Sequence, residues 1–330
     1  MAADACDICY SIVVPVFNEE AVLPVLLRRL DILMTELDGP AETIFVDDAS
    51  TDCSSIILRD KAKTDPRYRY IGLSRNFGHQ VAISAGMDAA AGQAVIIMDA
   101  DLQDPPEIVE EMIEKWKEGF EVVYSRRLSR TGESAFKEAT ANLFYKLLGR
   151  TSSVGIPVHV GDFQLIDRKV LDALRRMPEQ DRSIRAMIAW LGFRQTEATF
   201  DRLPRLAGET KYPLLTMVRL AVNGALSFSD APLRLAIWFG LGVSAGAAFY
   251  GFYVANLWFM NSHLVEGWSS TIIVISFLCG INMLMTGIMG LYIGRIHAEV
   301  KRRPLYVVSQ RLGFEREPKH VRALLSASAD

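Results

Sequence analysis

Two stretches of this chain run without a charged residue for longer than a soluble fold ordinarily needs. Leu235–Met260 and Trp268–Ile293 each span 26 residues with no Asp, Glu, Lys or Arg. As helices they would each reach about 39 Å, enough to cross a hydrocarbon core of about 30 Å with some tilt. Charged residues make up 23% of the whole chain and its mean hydropathy is +0.16, so the apolar excess has to be concentrated, and it is concentrated here. The link NSHLVEG holds no Lys or Arg. Arg219 and Arg234 precede the first run; Arg295, Lys301, Arg302 and Arg303 follow the second. Positive charge collects on the cytoplasmic side, so the expectation is an integral membrane protein with two spans. Both termini and the N-terminal part would be cytoplasmic, in the inner or plasma membrane. Just before the first run, Leu214, Met217, Val218, Ala221 and Val222 recur at helical spacing between Pro213 and Asp230, which predicts a helix lying in the membrane interface. Gly242 and Gly246, and Gly290 and Gly294, are small residues four apart. They predict close helix approach and a homo-oligomer.

From Tyr10 to about Phe200 the pattern changes. Short apolar runs (YSIVVPVF, TIFVDD, YRYIGLS, AVIIMD, EVVYS) alternate with amphipathic ones (EEAVLPVLLRRLDILMTEL, SSIILRDKAKT, HQVAISAGMDAAAG, PPEIVEEMIEKWKEG). Asn18 is a plausible N-cap for the first helix, Gly92 a stop for the third, and Pro and Gly bracket the fourth. Strands alternating with helices predict an α/β fold with a mainly parallel sheet covered on both faces. Ligands bind such sheets beyond the carboxyl ends of the strands. The predicted organisation is 1–205 as the cytosolic α/β domain, 206–232 as a loop and juxtamembrane helix, 233–296 as the membrane hairpin and 297–330 as a cytosolic C-terminal tail. A net charge of −3 supplies no overall basic field for nucleic acid. Cys6 and Cys9 form one CxxC without a second ligand pair, so they read as reduced thiols and not as a zinc site.

The acids fall at the ends of the predicted strands: Asp47 and Asp48, Asp99 and Asp101, and later Asp162. Carboxylates this close repel unless a cation sits among them. Asp99 and Asp101, with Gln103 nearby, are hard oxygen donors of the kind that hold Mg²⁺ or Mn²⁺.

The constellation VPVFNEE, VDDASTD and DADLQDP resembles the family 2 inverting glycosyltransferases. LSRNFGHQVAISAGMDAA, VGDFQLIDR, MPEQDR, RLAGETKY, SFSDAPLR and GLYIGRIHAEVKRRPLYVV are similar to the polyprenyl-phosphate glycosyltransferase group, which holds the dolichol-phosphate mannose synthases and bactoprenol glucosyltransferases. The resemblance runs from about Ser11 to Val308. It implies a Rossmann-like GT-A nucleotide-sugar domain, a juxtamembrane helix and two transmembrane helices. It implies that Pro15, Phe17 and Glu19 hold ribose and base, with Asp47 and Asp48 gripping the base. Asp99 and Asp101 would be the acidic pair of the metal and sugar-nucleotide site, with Gln103 beside the metal. Asp162 would be the catalytic carboxylate, and Arg126, Arg205 and Lys211 would face phosphates. One position departs from the group: GDFQL stands where GDFRL is common, so Gln164 is neutral where a guanidinium is usual.

The resemblance implies transfer of a hexose to undecaprenyl or another polyprenyl phosphate, with UDP-glucose favoured as donor, Mg²⁺ or Mn²⁺ as cofactor, and a tetramer. The alternatives are GDP-mannose or UDP-GlcNAc as donor, or a membrane-anchored nucleotide-binding scaffold without catalysis. A processive polysaccharide synthase would carry a QxxRW motif and more spans, and this chain has neither.

Overall fold

The structure is a computed structural model that describes residues 8–127, 160–200, scattered residues between 237 and 256, and 267–314. The chain divides into two compact units. One comprises Met1–Glu138, Val154–Lys211 and Arg303–Asp330; the other comprises Ala139–Ser153 and Tyr212–Arg302.

The first unit is built on an eight-stranded sheet. In chain order its elements are β1 (Tyr10–Val16), α1 (Leu23–Glu36), β2 (Ala41–Asp47), α2 (Ser54–Thr64), β3 (Tyr68–Leu73), α3 (His79–Ala89), β4 (Ala94–Ile97), α4 (Ile108–Lys117), β5 (Val122–Arg127), β6 (Val160–Asp167), α5 (Arg168–Arg175), α6 (Ile184–Leu191), β7 (Gln195–Phe200) and, after the second unit, β8 (Val308–Leu312). The strand order is β7-β5-β6-β4-β1-β2-β3-β8. Strands β3, β2, β1 and β4 are mutually parallel; β6 and β8 run against their neighbours.

All seven residues of β1 are buried, because β1 lies centrally with helices over both faces. On one face Ile12, Val14 and Phe45 pack with Leu26 and Leu30 of α1, Leu58 of α2 and Met112 of α4. On the other, Val13, Val46 and Ile97 meet Ile83 of α3, Leu171 of α5 and Met187 of α6. Helix α3 lies close on the sheet because position 86 is glycine; a Cβ there would collide with Val13 Cγ1. Pro15 is tolerated in a central strand because its missing N–H falls on the β4 side, just past the last bond there, Met98 N to Val13 O.

The predicted strands and helices between Tyr10 and Ser125 are all present. Two local readings are corrected. Asn18 is no N-cap: α1 begins at Leu23, after Val22 and with a proline in its first turn, and Asn18 Oδ1 accepts from Thr51 N instead. Gly92 does not end α3, whose C-cap is Ala90; it is needed because a Cβ would lie 2.6 Å from Ser11 N. Part of the expected C-terminal tail is the edge strand β8, antiparallel to β3. Tyr306 reinforces it by donating to Asp88 Oδ2 on α3 at 2.9 Å.

In the second unit, α7 (Trp268–Val300) is a helix of 33 residues. Phe277, Leu278, Met283, Leu291 and Ile296 are all exposed on it, so its surface is apolar around more than one face. Among the described residues one helix, over Phe277–Val300, is long and apolar enough to cross a membrane, with mean hydropathy 1.6. Only scattered residues of the first charge-free run are described, and the interfacial helix expected at Pro213–Asp230 lies outside the described residues.

Candidate active site

The site forms where β1, β2 and β4 end. After each of these strands the chain turns through a non-glycine residue with left-handed backbone: Asn18 (φ 57°), Ala49 (φ 58°) and Leu102 (φ 56°). Such conformations cost energy for residues other than glycine and persist where surrounding contacts enforce them. The contacts are visible. Ser50 Oγ accepts from Asn18 N, and Ser54 Oγ accepts from Glu19 N, which ties the β1 turn to the start of α2. Asp101 Oδ1 accepts from Gln103 N at 3.1 Å, which folds the turn after β4 over buried Leu102.

Asp47 and Asp48 are both buried. Asp47 accepts from Ser50 N and Tyr70 OH, each at 2.9 Å. Asp48 accepts from Phe77 N at 2.7 Å and Gly78 N at 2.8 Å, which fixes the loop entering α3. Burial raises the Asp48 carboxyl above the usual range, and those two bonds only partly offset it. The two carboxylates implied to grip the base thus also brace the walls of the site. Phe17 is 44% exposed beside them, while Pro15 is buried within β1.

Asp99 and Asp162 come from different strands. Ile97 of β4 pairs with Gln164 of β6, so two residues further Asp99 comes level with Asp162. Asp162 sits near the amino end of β6, not at a carboxyl end as its sequence context suggests. It reaches the same edge because β6 is antiparallel. His79, at the start of α3, stands between the pair, with Nε2 3.4 Å from Asp99 Oδ1 and 3.3 Å from Asp162 Oδ2. Gln80 Nε2 donates to Asp162 Oδ2 at 2.9 Å, while Gln80 Oε1 accepts from Ile184 N on α6. Arg185 Nε lies 2.9 Å from Asp162 Oδ1.

The electrostatics separate the two acids. Burial pushes the Asp99 carboxyl up to about 6, and repulsion from Asp162, Asp104 and Asp101 adds to this against the attraction of His79. Burial acts on Asp162 too, but the His79 bond, the Arg185 charge and the Gln80 bond outweigh it and hold its carboxyl below the usual range. Burial lowers the His79 imidazole, yet the bond to Asp162 and the charges of both acids raise it overall. Among the described residues no three His, Cys, Asp or Glu side chains form a ready cage for a metal.

The remaining expected residues are placed as follows. Gln103 is buried. Arg126, on β5, reaches Glu197 of β7 at 3.1 Å across the parallel pair. Arg205 and Lys211 lie outside the described residues. Gln164 is buried, and its Nε2 has no hydrogen-bond partner among the described residues. His79, Gln80 and Arg185 were missed by sequence reasoning. The available signal was His79 and Gln80 directly after the turn glycine Gly78 (φ 103°), but nothing local shows which carboxylate those side chains meet.

A family model described as glycosyl transferase family 2 matches residues 11–175. An uncharacterized glycosyltransferase of Bacillus subtilis (strain 168), YkcC, is 48% identical over 93% of this chain and 95% of its own length. The prophage bactoprenol glucosyl transferase homolog of Escherichia coli (strain K12) is 36% identical over 91% of this chain and 98% of its own. A crystal structure of glucosyl-3-phosphoglycerate synthase from Mycobacterium tuberculosis, 20% identical, aligns over 66% of this chain and 79% of that one with a TM-score of 0.44.

Proposed function

Because the chain belongs to glycosyl transferase family 2, in the group of the bactoprenol glucosyl transferases, we propose that it moves a hexose from a nucleotide sugar onto polyprenyl phosphate with inversion, glucose from UDP-glucose being the preferred donor. The observation that carries this reading is the acid cluster Asp99, Asp101 and Asp162 at one edge of the sheet, with Asp99 driven to about 6 by burial and by its neighbours. An enzyme that receives a diphosphate and a cation together has use for such a cluster, whereas a purely structural sheet edge gains nothing from it.

Phe17, exposed at the mouth, offers a face for the base, beside Glu19 and the braced Asp47 and Asp48. Asp99 and Asp101 fit a divalent ion, since Mg²⁺-type sites commonly take one or two carboxylates and complete their shell with substrate phosphates and water; Gln103 stands beside them. Mg²⁺ or Mn²⁺ held there supplies a Lewis acid to the departing diphosphate. The acceptor is a phosphate monoester whose second pKa is near 6, so at neutral pH it is largely a dianion. Its oxygen attacks the anomeric carbon, and the bond to the diphosphate breaks with the electron pair leaving on the diphosphate. Little deprotonation is needed. Asp162 is kept ionised by His79, Gln80 and Arg185, so it orients and does not take up a proton. Arg205 and Lys211, outside the described residues, are assigned to the charge of the diphosphate.

The apolar helix α7 supports a membrane location, which an acceptor with a long isoprenoid chain requires. The full arrangement has two spans and cytoplasmic termini. Gly242, Gly246, Gly290 and Gly294 pack spans between subunits of a tetramer, which native mass measurement of the detergent-solubilised protein checks against a monomer.

Membranes containing the protein, supplied with labelled UDP-glucose, UDP-GlcNAc or GDP-mannose and undecaprenyl phosphate, test the reading. Transfer of label into the lipid fraction from UDP-glucose is expected. Transfer from another donor alone would revise the sugar, and nucleotide-sugar binding with no transfer from any donor would leave a scaffold.

A further inference from the structure

A carboxylate that orients a reacting group has to be oriented itself. Gln80 Nε2 donates to Asp162 Oδ2 at 2.9 Å, and Gln80 Oε1 accepts from Ile184 N at 2.9 Å. A backbone N–H can only donate. The atom of the Gln80 amide that faces Ile184 is therefore its oxygen, and the NH2 is turned to Asp162. The bond to Ile184 has a local cause. Ile184 opens α6, and the first N–H groups of a helix have no partner within it. Ser183, at the N-cap, makes no side-chain cap bond. Ile184 is buried, so an unmet N–H there would cost free energy. Gln80 supplies the cap from α3, 104 positions earlier in the chain. His79 Nε2 approaches the same Asp162 oxygen at 3.3 Å. Consecutive residues of α3 thus meet one oxygen of Asp162, and Gln80 ties that oxygen to α6 as well.

We propose that Gln80 is a positioning residue, which holds the Asp162 carboxylate in the orientation that sugar transfer needs, with the start of α6 setting the Gln80 amide for that task. The inference rests on the proposed transfer and adds the side chain through which Asp162 is oriented. Gln80→Glu separates the two bonds. Its carboxylate can still accept from Ile184 N but has no proton to give Asp162, so α6 keeps its cap while Asp162 loses its hold. Gln80→Met, of similar length, loses both.

The test uses the full-length protein in lipid nanodiscs, with UDP-glucose, Mn²⁺ and undecaprenyl phosphate. Gln80→Glu should lower kcat by about tenfold or more, the scale of one hydrogen bond to a charged group. Its affinity for UDP-glucose, measured by titration calorimetry, should stay within about twofold, which also shows that the variant is folded. Gln80→Met should lower kcat to a similar extent and lower the thermal midpoint as well, because α6 loses its cap. A double-mutant cycle supplies the readout that a structural role would not move. Added to Asp162→Asn, Gln80→Glu should cost less than about twofold more, because Gln80 acts through Asp162. The proposal is overturned if Gln80→Glu keeps the wild-type kcat, if its donor affinity falls as far as its kcat, or if its loss multiplies with that of Asp162→Asn. A wild-type protein that transfers no glucose to the lipid would instead refute the reading of the reaction beneath it.

Discussion

Asp99 shares its space with Asp101, Asp104 and Asp162, and its carboxyl titrates near 6 because burial and those neighbours disfavour the anion. The folded-state value lies above the ordinary carboxylate value of about 3.9, so the native protein holds a proton on Asp99 in a window where the unfolded chain has lost it. That favourable contribution is fully present below about 4, falls progressively between about 4 and 6, and is gone above about 6. A divalent ion needs the anion. Mn²⁺ binding in the presence of UDP should therefore tighten from pH 5 to pH 7 and release protons, and Asp99→Asn should flatten the dependence; calorimetry in two buffers of different ionisation heat reads both. Asp101 should matter through its ligand chemistry. Asp101→Asn keeps the size but supplies a poorer ligand, so transfer should fall more than tenfold, about 1.4 kcal/mol or more in the barrier, with circular dichroism unchanged. Full transfer by this variant, or by wild type in EDTA, would contradict the role. These acids were legible in sequence because they follow apolar strands directly. His79, Gln80 and Arg185 were not, since Gln80 lies 82 positions from Asp162 and only the docking of α3 and α6 brings them together.

The elements from β1 to β5 were readable for a physical reason: each strand is buried on both faces and each helix has one apolar side, as in α1 with Leu23, Leu26, Leu30 and Leu33. Strand β8 was not readable. Its sequence VSQRL is short and mostly polar, because an edge strand has one neighbour and a wet flank, and its partner β3 lies more than 230 residues earlier. Two packing features carry predictions at this scale. Gly86 lets α3, and with it His79, lie against β1. Gly86→Val should destabilise the domain by roughly 1–3 kcal/mol through overpacking and weaken donor binding together with stability; a denaturation midpoint matching wild type would refute this seating. Tyr306→Phe removes the bond to Asp88 and should cost about 1 kcal/mol, read by urea denaturation, while leaving KM for the donor unchanged.

At the scale of the molecule, the proposed arrangement is a nucleotide-sugar domain tethered by a membrane anchor, with the charges that flank the charge-free runs setting its orientation. Cysteines introduced singly into the link NSHLVEG should react with an impermeant thiol reagent added outside intact cells. A cysteine placed near Asp330 should react only after the membrane is opened. The opposite pattern would overturn the two-span arrangement, of which α7 is the described part. One product measurement reaches the chemistry most directly. Purified protein, UDP-glucose, Mn²⁺ and undecaprenyl phosphate should yield the lipid phosphate heavier by one hexose, with the sugar in β linkage because inversion converts the α linkage of the donor. Lipid recovered unmodified while glucose is released free would contradict transfer to the phosphate, and an α-linked product would contradict the single inverting displacement.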